Sequence, residues 1–191
     1  MKRSYYLINA ITLYRLIAAP ILIILIITKD LDLFKWLLAL SFFTDLIDGF
    51  LARKFKVTSI LGSRLDSIAD DSTVVAALIG LFVFKYDFVQ HELIFLFGLL
   101  GLFLTQNIIA IIKYHKITSF HTYLAKISAI LQGLFFILIF LLQQPVYFLF
   151  YTAVLFTALD LIEEIILVFL LPKWEANVKG LFSVLKRKQP E

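Results

Sequence analysis

Apolar residues run along this chain in stretches of about twenty, parted by short polar breaks. The stretches cover roughly 8–28, 33–53, 60–84, 88–112, 122–142 and 146–171. Each has the length an α-helix needs to cross a hydrocarbon core, about 20 residues. The breaks are Lys29-Asp30 with Asp32, Lys54 to Ser59, Lys85 to Asp87, Lys113 to Ser119, and Gln143-Gln144-Pro145. The pattern predicts an all-α integral membrane protein, with six transmembrane helices over residues 1–171 and a basic tail over 172–191. In the tail, Trp174, Val178, Leu181, Phe182, Val184 and Leu185 stand among basic residues. Two readings of it stay open: an amphipathic helix in the membrane interface, and a solvated basic segment.

Composition agrees with a membrane protein. Hydrophobic residues make up 61% of the 191, against about half in soluble domains, which leaves little room for a separate soluble domain. Lys2 and Arg3 ahead of an apolar run, with Ala18-Ala19-Pro20 further on, look like a signal peptide. Asn9 and Arg15 interrupt that run, however, and it is too long for a signal core; a retained membrane helix is expected. The absence of cysteine excludes disulfides and thiolate metal sites. The net charge of +4 is modest, and no basic surface large enough to track phosphates is present, which argues against a nucleic-acid partner.

The placement of charge sets the orientation. Lys2 and Arg3 precede the first span, and Arg53, Lys54 and Lys56 lie between the second and third. Lys113 and Lys116 lie between the fourth and fifth, and Lys173, Lys179, Lys186, Arg187 and Lys188 follow the sixth. The other connections hold Lys29, Lys35 and Lys85, offset by Asp30, Asp32, Asp87 and Glu92. Cytoplasmic loops are the ones rich in Lys and Arg, so both termini are expected in the cytoplasm. In that orientation the polar residues of every span fall in its cytoplasmic half: Asn9 and Arg15, Asp45 and Asp48, Arg64 with Asp66, Asp70 and Asp71, Gln106 and Asn107, Lys126, and Asp160 with Glu163 and Glu164. This predicts one polar cavity open to the cytoplasm rather than a pore, which needs polar lining along its whole length.

Intramembrane ionisable residues mark function by default. The alternative for Asp160, Glu163 and Glu164 is mutual pairing that glues helices together. The four aspartates carry a more specific pattern. Asp45 and Asp48 are spaced i,i+3, and Asp66 and Asp70 i,i+4, so each pair shares a helix face. Four converging carboxylates cannot all stay ionised without cations. Oxygen-only ligands suit Mg²⁺ or Mn²⁺, and two such ions would balance the charge as a clamp for phosphoryl chemistry. Gly49, Ala52 and Gly62 leave room for a ligand near the backbone, or serve close helix packing. Arg53 can hold a diphosphate with its planar fork.

Taken together, Asp45-x2-Asp48-Gly49-x2-Ala52-Arg53-x8-Gly62-x3-Asp66-x3-Asp70 resembles the complete signature of the CDP-alcohol phosphatidyltransferase family. Asn9-Ala10-Ile11-Thr12-Leu13-Tyr14-Arg15 is similar to that family's N-x2-T-x2-R opening. The resemblance implies that Asp45, Asp48 and Asp66 bind two metal ions, with Asp45 and Asp66 bridging. It implies that Asp70 ligates one ion and acts as general base, and that Gly49, Ala52, Arg53, Ser59, Gly62, Asn9 and Thr12 form the CDP-donor site. It further implies a homodimer, a CDP-diacylglycerol donor, a small alcohol acceptor and CMP release, and a site facing the cytoplasm of a bacterial membrane.

The acceptor is less legible. Members that use glycerol 3-phosphate usually carry a lysine after the last aspartate and an Ala-Arg-Glu stretch in the fourth span; here Asp71 and Thr105-Gln106-Asn107-Ile108 stand there. Asp66-Ser67-Ile68-Ala69-Asp70 is closer to phosphatidylserine synthases, whereas Lys126 and Gln132 resemble the K-x5-Q element of the glycerophosphate branch. Arg64, Lys113, Lys116 and Lys126 are candidate acceptor-phosphate binders, and His115 and His121 are expected to be solvated. The readings of other classes are a cation transporter built on the aspartates and a non-catalytic scaffold.

Overall fold

The computed structural model describes residues 2–55, 60–118, 120–176 and 178–187, apart from the side chains of 2–12, 46, 48–55, 60–64, 66 and 67. Seven helices occupy the described residues, and no strand is found among them: α1 (Lys2–Ile27), α2 (Leu31–Phe55), α3 (Ile60–Phe84), α4 (Tyr86–Tyr114), α5 (Tyr123–Leu141), α6 (Tyr147–Leu170) and α7 (Leu181–Arg187). Six of them coincide with the six apolar stretches, shifted by a few residues at their ends. The largest shift is at α1, which starts at Lys2 rather than near residue 8. Two of the described helices, α4 and α5, pass as long and apolar enough to cross a membrane by length and composition alone. Large apolar side chains such as Ile94, Ile112 and Ile130 stand exposed on them, as they would against lipid.

The chain divides into two compact units, residues 1–89 with 136–143, and residues 90–135 with 144–191. In the first unit α1 packs on both α2 and α3. Buried positions form one stripe per helix: Ala18, Ala19, Leu22 and Ile26 on α1; Phe34, Leu38 and Ser41 on α2; Ala69, Thr73, Ala76, Ala77 and Leu81 on α3. These are the three-to-four-residue spacings of a single helix face, and the small residues let backbones approach closely. Phe34 fills the middle, 5.2 Å from the Phe84 ring and 5.0 Å from that of Phe140. Helix α2 begins where the sequence is punctuated: Asp30 accepts the Leu33 amide at 3.0 Å, a side-chain N-cap. At the far end of this unit the Lys85 ammonium donates to the Leu142 carbonyl at 3.2 Å, and burial pushes its pKa down.

In the second unit Ala110, Phe120, Leu167, Val168, Leu171, Val178 and Val184 form one buried cluster. Two of these residues belong to the tail, so 172–187 packs on α6 rather than leaving it. Thr122 caps α5 by accepting the Ala125 amide at 2.9 Å.

Candidate functional site

The buried stripes of the first unit run toward a charged end. Arg15 continues the α1 stripe one turn before Ala18, and Asp45 continues the α2 stripe one turn after Ser41. Asp70 follows buried Ala69 on α3. Arg15 is 1% exposed. Its Nη1 lies 2.8 Å from Asp45 Oδ1, and its Nη2 pairs with Asp70 Oδ1. One planar fork therefore joins the first and last aspartates of the motif, from two different helices. Both aspartate side chains stay 41% exposed. Asp70 Oδ1, on the arginine side, is buried.

That arrangement suits a hard divalent cation. Two carboxylates from separate helices converge, their donors are oxygens, and each keeps accessible surface. Among the described residues no group of three acidic or histidine side chains is assembled. The side chains of Asp48 and Asp66 lie outside the described residues, as do those of Asn9, Thr12, Gly49, Ala52, Arg53, Ser59, Gly62 and Arg64. Sequence reading named Arg15 as polar and as part of the N-x2-T-x2-R opening but gave it no role. The signal was a full positive charge inside an apolar run, whose partner had to be negative.

The other candidates fall in the second unit. The Lys113 ammonium donates to the carbonyls of Val168 at 2.8 Å and Phe169 at 3.2 Å, near the C-terminal end of α6, where a cation is favoured. Tyr114 Oη lies beside it, within 2.9 Å of the Val168 carbonyl and 2.8 Å of that of Leu171. The Lys116 ammonium sits 5.2 Å over the Trp174 ring, and that of Lys126 sits 5.5 Å over the Tyr123 ring. His115 and His121 are exposed.

The acidic residues of α6 pair with neutral donors. Gln106 Nε2 donates to Glu164 Oε2 at 2.7 Å and to Thr118 Oγ1, and Thr118 Oγ1 donates to Glu164 Oε2 at 3.3 Å. Thr122 Oγ1 donates to Asp160 Oδ1 at 3.2 Å, and Glu163 Oε1 accepts the Leu181 amide at 2.8 Å. These residues join segments together, as interhelical glue does, but not through one another. Gln132 does the same, donating to Thr157 Oγ1 at 2.7 Å.

Comparison with known proteins agrees with the motif. The family model described as CDP-alcohol phosphatidyltransferase matches residues 5–162. The chain is 39% identical over 75 residues to a CDP-diacylglycerol–glycerol-3-phosphate 3-phosphatidyltransferase of Cereibacter sphaeroides, a stretch covering 37% of this chain and 34% of that protein. It is 35% identical over 82 residues to the protein of that name in Haemophilus influenzae, covering 41% and 44%. With the human cardiolipin synthase (CMP-forming) it shares 43% over 63 residues, covering 32% and 21%. The chain thus spans less than half the length of each of these relatives. No solved structure matches it significantly.

Proposed function

Because the chain belongs to the CDP-alcohol phosphatidyltransferase family, we propose that it transfers the phosphatidyl group of CDP-diacylglycerol to a small alcohol in phospholipid synthesis. The acceptor oxygen forms a bond to the lipid-bearing phosphorus, the bond to the bridging diphosphate oxygen breaks, and CMP leaves. The observation that carries this reading is the Arg15 fork, which brings Asp45 and Asp70 together from α2 and α3.

Asp45, Asp48, Asp66 and Asp70 would hold two divalent cations, Mg²⁺ or Mn²⁺, which when bound neutralise the diphosphate and the charge developing on it. Asp70 accepts the proton of the acceptor hydroxyl. Arg53 grips the diphosphate as a planar fork, Gly49, Ala52 and Gly62 leave space for it near the backbone, and Asn9, Thr12 and Ser59 complete the donor site. Arg15 fixes the carboxylates from behind.

Six spans with both termini in the cytoplasm, ahead of the tail at 172–191, fit the helix lengths. The shortest of the six, α5, has 19 residues, about 28 Å at 1.5 Å per residue, close to a hydrocarbon core. The donor's acyl chains then stay in the bilayer while its nucleotide enters from the cytoplasm, and the protein works as a homodimer in a bacterial cytoplasmic membrane. Two relatives carry glycerol 3-phosphate in their names, which favours that acceptor, with Arg64, Lys113, Lys116 and Lys126 as candidates for its phosphate. The Asp66-Ser67-Ile68-Ala69-Asp70-Asp71 run favours serine as the second reading. A cation transporter is disfavoured, because the polar residues of each apolar stretch gather toward one end of it, whereas a transport site calls for polar residues at the midplane and broken helices.

The test is CMP release by the purified protein with CDP-diacylglycerol, Mg²⁺ or Mn²⁺, and glycerol 3-phosphate, serine, inositol, inositol phosphate or phosphatidylglycerol in turn. The lipid product identifies the acceptor. No CMP with any of them would sink the proposal.

A further inference from the structure

The tail does not trail away from α6; it folds back beside it. The Leu181 amide reaches Glu163, seven residues before the helix end at Leu170, about 10 Å back along the axis. The Lys179 carbonyl accepts the Tyr123 amide at 3.2 Å, at the first residue of α5. Trp174 Nε1 donates to the Ile117 carbonyl at 3.1 Å in the connection ahead of α5. Three independent contacts thus set α7 at the level of the terminal turns of α5 and α6 and not beyond them. Its inner face joins the buried cluster through Val184 and the partly buried Leu181, with Val178 just ahead of the helix in the same cluster. On its other face Phe182 is 89% exposed and Leu185 is exposed beside it, three residues on and hence its neighbour on the helix surface. Lys179, Lys186 and Arg187 around them are exposed, with Glu175 pairing Arg187 at 3.0 Å.

We propose that α7 is an interfacial anchor, in which Phe182 and Leu185 enter the boundary between headgroups and acyl chains and Lys179 and Lys186 bind anionic phospholipid headgroups. The inference rests on the reading of α5 and α6 as membrane spans. If those helices end at the membrane surface, a segment held beside their last turns lies at interfacial depth, where a solvent-facing phenylalanine is replaced by a lipid-facing one. Basic residues beside it supply the complementary charge for an anionic leaflet.

The chain has no cysteine, so single cysteines can be labelled in the full protein. Leu185→Cys carries an environment-sensitive fluorophore, with Ile130→Cys on the exposed face of α5 as reference. Each is reconstituted into bilayers of phosphatidylcholine alone or mixed with phosphatidylglycerol, with acyl-brominated lipid or aqueous iodide as quencher. The expected result is quenching of the Leu185 label by brominated chains, protection from iodide, and stronger docking with phosphatidylglycerol. Phe182→Asp should abolish the brominated-lipid quenching. Lys186→Gln should weaken docking about fivefold in anionic bilayers and leave it unchanged in phosphatidylcholine. Quenching at Ile130 but iodide access at 185 overturns the anchor and leaves the spans standing. A 185 label shielded from both quenchers means that protein covers the face, and also overturns it. No brominated-lipid quenching at either position overturns the anchor and the spans together.

Discussion

Arg15 shows how much one side chain can organise. A buried guanidinium without partners costs several kcal/mol; here it is offset by two carboxylates that are themselves half exposed. Replacing it by glutamine removes the positive charge that Asp45 and Asp70 share. The cost falls between the ~0–1 kcal/mol of an exposed pair and the ~3–5 kcal/mol of breaking a buried one, so Arg15→Gln should destabilise by about 2 kcal/mol. A divalent cation bound by the same carboxylates would take over part of the neutralisation. The loss, followed by thermal unfolding in detergent, should therefore be smaller with Mn²⁺ than with a chelator. An equal loss in both conditions would detach Arg15 from the proposed metal site. Asp70→Asn keeps one acceptor oxygen for Arg15 and should retain the fold while CMP release drops by more than about a hundredfold, the usual scale of a general base; retention of most activity would remove that role. Asp45 and Asp70 stood out in the sequence because each has an acidic neighbour on its own helix face, Asp48 at i+3 and Asp66 at i−4. Their shared arginine did not, because pairing between helices depends on how three buried stripes face one another, and that leaves no local spacing.

At the scale of helices, two glycines mark close approaches. A Cβ at Gly80 on α3 would come 2.5 Å from Phe34 Cζ, and Phe34 has no free space, being wholly buried between Phe84 and Phe140. Gly80→Ala should cost about 1–3 kcal/mol by overpacking. Adding Phe34→Leu should recover part of it, and two additive losses in the double variant would show that the contact is not what limits the site. Gly180 has φ +142° and would press a Cβ to within 3.2 Å of Glu163 Oε1. Strain of about 1–3 kcal/mol is enough to release a short helix, so Gly180→Ala should raise hydrogen exchange across Leu181–Arg187 without changing that of α1–α3. Unchanged protection of α7 would show that the segment is held elsewhere. The six long helices were readable from run length alone, because each apolar stretch of about twenty residues is bounded by polar breaks where a helix ends. The start of α1 was missed because Lys2 and Arg3 end an apolar run without ending a helix. The short helix in the tail was visible as an amphipathic pattern, but a pattern cannot say which apolar residues turn to protein and which to lipid: Val184 is buried and Phe182 is not.

For the whole molecule the decisive property is sidedness, since the proposed donor, with acyl tails and a water-soluble nucleotide, can be used only where the site faces the nucleotide pool. Charge distribution along the chain supports the proposed orientation. The connection carrying Lys113 and Lys116 and the tail from Lys173 onward are basic, whereas the connection at Gln143-Gln144-Pro145 carries no charge, and an excess of Lys and Arg keeps a loop in the cytoplasm. Lys116, Gln144 and Lys173 are all exposed, so cysteines there are open to reagents without disturbing a core. On intact cells a membrane-impermeant maleimide should label Gln144→Cys and spare Lys116→Cys and Lys173→Cys, which should react only after permeabilisation. The inverse pattern would put the carboxylates of Asp45 and Asp70 on the wrong side for a cytoplasmic nucleotide. Labelling of all three on intact cells would mean that neither α5, between residues 116 and 144, nor α6, between residues 144 and 173, crosses the membrane, and would overturn the proposed six spans.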